Sequence, residues 1–301
     1  MPINVPKQLP ARLILEKENI FLMEKDRATS QDIRPLRILI LNLMPDKERT
    51  ETQLLRLLSN SPLQVLVDFI HTETYQSKNV QKSHLEKFYQ TFSDIKEQRY
   101  DGMIITGAPV EHLEFEEVDY WNELVEILDW TKDHVTSTLN ICWGAQAALY
   151  HHYGVGKSMR DEKISGIYTQ KLINPTNKLV RGINDQFNVP HSRHTDSDYA
   201  AVENHSELTI LDSSDQVGPL LIVSNDEKNV MITGHIEYDA DTLFREYQRD
   251  LAKGLDIQAP SNYFPNDNPN EKPINHWRSE AYLIFSNWLN YFVYQETPYK
   301  W

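Results

Sequence analysis

Four times between residues 37 and 150 a short apolar run gives way to a longer stretch of helical spacing. The runs at 37–44, 65–70 and 102–106 are apolar at nearly consecutive positions, and a fourth at 138–142 ends on the chain's one cysteine. Strands of that kind are buried on both faces. The stretches at 47–59, 82–98 and 119–134, and one opening at Trp143, have helical spacing. Leu54, Leu55, Leu57 and Leu58 make the apolar face of the first, and Trp121, Leu124, Val125 and Leu128 that of the third. Alternation repeated within about 115 residues predicts a doubly wound α/β fold, a mostly parallel sheet with helices on both faces.

The flanks read differently. Residues 1–35 carry Pro2, Pro6, Pro10 and Pro35 around two short apolar patches, Leu13-Ile14-Leu15 and Ile20-Phe21-Leu22-Met23, and are expected to form an N-terminal arm. Residues 36–301 are expected to form one domain. Between 164 and 230 the runs are short and β-like, at 166–168, 179–180, 199–202 and 220–223, so antiparallel additions are expected there. A strand at 230–234, a helix at 240–253, a proline- and asparagine-rich loop at 260–273 and a helix at 277–294 complete the reading.

Cys142 stands where an apolar strand ends and a helix begins, in Asn140-Ile141-Cys142-Trp143-Gly144-Ala145-Gln146. That is the layout of a nucleophile elbow, a tight turn that exposes one side chain at the carboxyl edge of a sheet. A helix N-terminus beside a thiol favours its thiolate. The plain alternative is a buried, inert cysteine. A nucleophile needs a base, and the base an orienting partner. Gly234-His235-Ile236-Glu237 supplies both after a strand, and in extended backbone His235 and Glu237 point to the same side. Alone, that pair reads as a solvated strand end; with the elbow it completes a Cys142, His235, Glu237 triad. Gly107-Ala108-Pro109 ends another parallel strand, where open α/β sheets bind ligands. The backbone N–H groups of Ala108 and Trp143 are candidates for an oxyanion hole.

Other features exclude functions. The net charge of −14 lacks the basic footprint that nucleic acid requires. No apolar run reaches the roughly 20 residues of a membrane span, and the N-terminus lacks a secretory pattern. One cysteine permits no intrachain disulfide, which suits a cytoplasmic protein. His191 and His194 lack a third metal ligand nearby, so no metal is expected. His151-His152 reads as a polar helix end. No phosphate-binding glycine loop is present.

Cys142-Trp143-Gly144-Ala145-Gln146 and His235-Ile236-Glu237 resemble the class I glutamine amidotransferase fold, in which C-x-G-x-Q and a late H-x-E form a triad. A closer resemblance is to one branch of that fold, the homoserine O-acyltransferase (homoserine transsuccinylase) family. It is carried by the opening from Met1-Pro2-Ile3 to Leu9-Pro10-Ala11, by Asn42-Leu43-Met44-Pro45, by Leu55 to Gln64, and by Thr106-Gly107-Ala108-Pro109-Val110-Glu111. Asn140-Ile141-Cys142-Trp143, Pro190-His191-Ser192-Arg193-His194 and Thr233-Gly234-His235 extend it to about residue 295. The resemblance implies a flavodoxin-like sheet and ping-pong acyl transfer from an acyl-coenzyme A to the hydroxyl of L-homoserine, in methionine biosynthesis. Cys142 would carry the acyl group as a thioester, His235 would act as general base, and Glu237 would orient it. Substrate contacts carry over to Lys163, Ser192 and Arg249, the last suited to a carboxylate by its planar fork. Lys47 is expected to contact the acyl donor. No cofactor is implied beyond acetyl-CoA as co-substrate, and a homodimer is one allowed assembly.

Family members that use succinyl-coenzyme A typically carry glycine where this chain has Glu111, and members with glutamate resemble the acetyl users. Glu111 therefore implies acetyl transfer, with succinyl transfer as the alternative. An ammonia-releasing glutamine amidotransferase subunit fits less well. Asn140 stands where those enzymes usually have glycine, Ile236 where they carry proline, and no acceptor domain is fused. A non-catalytic binding protein on this fold would not need an intact triad.

Overall fold

The computed structural model of the protein describes residues 3–6, 8–18, 20, 22–23, 34–74, 82–255 and 257–298. Met1, Pro2 and Phe21 of the expected N-terminal arm, and residues 24–33, lie outside that set.

The strands are β1 (Ile3–Asn4), β2 (Leu22–Met23), β3 (Leu36–Leu41), β4 (Val65–Ile70), β5 (Tyr89–Gln90), β6 (Tyr100–Ile105) and β7 (Val135–Ile141) in the first half. The second half adds β8 (Lys157–Leu172), β9 (Gln186–Ser197), β10 (Leu208–Ile210), β11 (Asp212–Ser213), β12 (Leu221–Ser224) and β13 (Asn229–Ile232). Among the described residues the main sheet has ten strands, in the order β10-β12-β13-β7-β6-β3-β4-β1-β2, with β5 beside β4. From β13 to β2 every pairing is parallel; β10 and β12 add an antiparallel edge. A second, three-stranded antiparallel sheet, β11-β8-β9, stands apart as a long hairpin with one short partner.

Consecutive apolar residues in the parallel strands serve two cores. Ile38, Ile40 and Ile104 pack on one face, against the helices Lys47–Leu58 and Arg278–Asn287. Leu39, Leu41, Met103 and Ile105 pack on the other, against the helices Trp121–His134 and Trp143–Tyr153. This is the two-faced burial that the runs of Ile, Leu and Met require.

Three expectations are corrected. The helix read over 82–98 is two, Lys82–Phe88 and Phe92–Ile95, split by β5. Thr91 and Asp94 form a reciprocal capping box that starts the second piece, while Tyr89 enters the sheet beside Phe69. Residues 199–202, read as β-like, lie in a short helix, Tyr199–Glu203, because the Asp198 side chain accepts from the Ala201 N–H at its start. Lys178–Val180 is a single 3₁₀ turn begun by Asn177.

Candidate functional site

Cys142 sits between β7 and the helix Trp143–Tyr153 with φ 51° and ψ −113°, a conformation L-residues rarely adopt. Its N–H donates to Ile232 O at 2.7 Å, tying the elbow to the strand that leads to His235. Its carbonyl accepts from the Gln146 N–H, the first turn of the helix. Gly144 is required at this crossing: a Cβ there would stand 2.7 Å from Thr106 O and 2.8 Å from Ile105 O. The glycine thus lets the helix approach β6 closely enough to seat Cys142 over the strand ends. Trp143 opens the helix, so its N–H has no partner within it.

Gly107 approaches the same point from β6. A Cβ on it would lie 3.3 Å from Cys142 Cβ and 3.5 Å from His235 Cε1. Ala108 follows, also buried. The three loops after β6, β7 and β13 therefore converge, as open α/β sheets place ligand sites.

His235 lies beyond the end of β13, its N–H donating to Pro190 O at 2.9 Å. Its Nδ1 is 2.7 Å from Glu237 Oε1. The pair meets across a turn closed by Tyr238 N–H to His235 O, not along extended backbone as the spacing suggested. Burial opposes charge on the imidazole, but the charges of Cys142 and Glu237 and hydrogen bonds to both outweigh it, holding the His235 pKa well above its ordinary value. Those contacts bias His235 toward its protonated form.

Cys142, His235, Glu111, Lys163, Ser192 and Arg249 line one cavity of about 230 Å³. Lys163 and Ser192 reach it from the β8–β9 hairpin, and Arg249 from the helix Thr242–Ala252. Asp250 bridges the two cations, accepting from Arg249 Nε at 2.8 Å and Lys163 Nζ at 3.3 Å. Glu111 Oε2 accepts from the backbone N–H of His194. Burial raises the Glu111 pKa, opposed by that hydrogen bond and by the charges of His235, Lys163 and Arg193.

Lys47 is outside this cavity and lines the two beside it. It is buried, donates to Asn42 O at 2.5 Å, and burial lowers its pKa to about 8 against the raising effect of Glu51. Its immediate partner is thus the turn after β3, whose Met44 and Pro45 wall the Cys142 cavity.

The sequence reading missed Tyr238 and Glu246. The Tyr238 ring lies flat on His235, centroids 4.1 Å apart and planes at 16°, and its hydroxyl donates to Glu246 Oε1 at 2.8 Å. Glu246 Oε2 accepts from Ser192 Oγ at 2.6 Å. A signal was available: Glu246, Arg249 and Asp250 fall at i, i+3 and i+4, one face of a helix.

The fold is also that of solved structures. A Thermotoga maritima glutamine amidotransferase matches with a TM-score of 0.53, covering 85% of this chain and 98% of its own at 15% identity. A glutamine amido transferase from Methylobacillus flagellatus gives 0.50, with 90% and 99% covered at 10% identity. At such identity the likeness shows the fold alone. Sequence relatives are far nearer. Proteins named homoserine O-acetyltransferase from Lysinibacillus sphaericus and from a Geobacillus species are each 60% identical over 301 residues, all of this chain and 97% and 100% of theirs. A family model described as Homoserine O-succinyltransferase matches residues 2–299. The chain belongs to that family. Cys142 and His235 share the cavity where three sheet-end loops meet, and no helix among the described residues is long and apolar enough to cross a membrane.

Proposed function

We propose that the protein is a homoserine O-acetyltransferase of methionine biosynthesis in the cytoplasm, passing the acetyl group of acetyl-CoA through a Cys142 thioester to L-homoserine. The observation that carries the reading is the shared cavity, which Cys142 and His235 line together with Glu111, Arg249 and Glu246. The names of the 60%-identical relatives support the same donor and acceptor.

In the first half-reaction the Cys142 thiolate attacks the thioester carbon of acetyl-CoA. The backbone N–H groups of Ala108 and Trp143 stabilise the oxyanion. The carbon–sulfur bond to coenzyme A then breaks, and the leaving thiolate takes the proton of the His235 imidazolium. Neutral His235 next removes the hydroxyl proton of homoserine as its oxygen attacks the acetyl-enzyme. Collapse expels the Cys142 thiolate and restores the ion pair. Glu237 holds the imidazole through Nδ1 in both steps, leaving Nε2 for proton transfer.

Homoserine is held at its charged end. Arg249, already oriented through Nε by Asp250, offers its terminal nitrogens to the α-carboxylate, with Lys163 beside it. Glu246 takes the ammonium, positioned for it by Ser192 and Tyr238. Glu111 selects the donor by standing where a longer, charged acyl group would extend. The test is kcat/KM for acetyl-CoA and succinyl-CoA at saturating homoserine, in the native protein and in Glu111→Gly. Acetyl is preferred by the native protein and succinyl gains in the variant; a native preference for succinyl would overturn the donor assignment.

A further inference from the structure

The loop that carries Glu111 leaves the sheet after β6 and, among the described residues, has no strand partner of its own. It is held instead by the Lys157 side chain and by the backbone N–H and ring of His194. Leu113 N–H to Val110 O, 3.1 Å, closes a turn around Glu111. The carbonyl oxygens of that turn gather on one ammonium: Lys157 Nζ donates to Glu111 O at 2.9 Å and to Leu113 O at 2.8 Å. The same ammonium lies 5.2 Å from the centroid of the Phe115 ring. Phe115 is buried, stacked on Tyr150 at 4.5 Å and 18°, and 6.1 Å from Trp143, the residue after the nucleophile.

Lys157 is the first residue of β8, opposite Ser197 of β9. The hairpin thus grips the turn at both ends: β8 holds the backbone of Glu111 through Lys157, while β9 holds its carboxylate through the His194 N–H. The His112 and His194 rings, 4.4 Å apart, close the gap between turn and hairpin. A charge-assisted bond to each carbonyl fixes the Cα of Glu111, and so where its carboxylate stands relative to Cys142.

We infer that Lys157 is a positioning residue for donor selection, clasping the turn so that Glu111 is held across the acyl end of the cavity. The inference rests on the reading of Glu111 given above. Lys157 touches no reacting atom in this account; it acts through Glu111.

The experiment measures kcat/KM for acetyl-CoA and succinyl-CoA in five proteins: native, Lys157→Met, Lys157→Arg, Glu111→Gly, and the Lys157→Met/Glu111→Gly double variant. Lys157→Met is expected to lower the acetyl-to-succinyl ratio roughly tenfold, the scale of one charge-assisted hydrogen bond. The KM for homoserine should stay at its native value. Lys157→Arg, which can also donate to both carbonyls, should restore most of the ratio. In the Glu111→Gly background Lys157→Met should change the ratio no further, because the clasp has lost the group it positions. Should Lys157→Met fold poorly, Lys157→Gln keeps a neutral donor and is expected to fall between Met and native. A ratio that shifts in Glu111→Gly but not in Lys157→Met or Lys157→Gln would overturn the clasp. So would an equal loss with both donors. A ratio unmoved in Glu111→Gly would instead overturn the reading of Glu111 itself.

Discussion

Tyr238 lies flat on His235 at 4.1 Å and reaches past it to Glu246, joining the base to the acidic end of the cavity. Its ring limits the tilt of the imidazole; its hydroxyl fixes a carboxylate proposed to hold the homoserine ammonium. Tyr238→Phe keeps the first role and loses the second. The KM for homoserine should rise roughly three- to tenfold, the scale of one neutral hydrogen bond. Release of coenzyme A in the first half-reaction should be nearly unchanged, as a single-turnover thiol assay would show.

Arg249 makes a sharper split. Arg249→Ala removes the proposed carboxylate fork, at a cost of ~1.5–3 kcal/mol or one to two decades in apparent homoserine affinity. Acylation of Cys142 by acetyl-CoA should persist. Equal loss in both half-reactions would mean that Arg249 supports the fold through Asp250 instead.

The two glycines beside Cys142 should fail differently. In Gly144→Ala the new methyl meets two backbone oxygens at 2.7 and 2.8 Å, so the helix must shift off β6. Stability should fall by about 1–3 kcal/mol, seen as a lower urea midpoint, with activity lost as the elbow moves. In Gly107→Ala the closest approach is 3.3 Å, to Cys142 Cβ, so a shift of a few tenths of an ångström relieves it. Stability should hold while kcat falls, because the methyl enters the space beside the reacting sulfur.

The alternation of strands and helices was legible because both faces of the sheet are buried, which forces apolar residues at consecutive positions. The elbow was legible because Cys142 and Gly144 each answer a constraint at one crossing. The break at Tyr89 was hidden: residues 82–98 keep helical composition throughout, and only the Thr91–Asp94 box and the pairing with Phe69 interrupt them. The His235–Glu237 contact was foreseen for the wrong local reason, since a turn rather than a strand brings the side chains together. Glu246 was missed because a polar residue on an amphipathic helix reads as solvent-facing until the β8–β9 hairpin covers it. Its contact with Ser192 spans two elements that no local pattern connects.

Donor choice should depend on pH through Glu111. Like charges about 5 Å apart at an effective dielectric near 20 repel by ~3 kcal/mol, or about two decades in rate. Burial raises the Glu111 pKa, so its charge is present above that pKa and lost as pH falls through it. His194, whose pKa is lowered to about 4 chiefly by burial, stays neutral over the same range. The acetyl-to-succinyl ratio should therefore decline on acidification in the native protein. In Glu111→Gly it should be flatter over the same range, measured as kcat/KM for both donors at each pH. Parallel slopes in the two proteins would show that another group sets the dependence.

The acyl-enzyme is the claim on which the rest depends. Incubating the protein with acetyl-CoA and no homoserine, then measuring its intact mass and mapping the modified peptide, tests it most directly. One acetyl group on Cys142, removed by hydroxylamine and absent from Cys142→Ala, is the predicted result. An acetyl group on a lysine or serine, or a Cys142→Ala protein that keeps even about a tenth of native turnover, would contradict it.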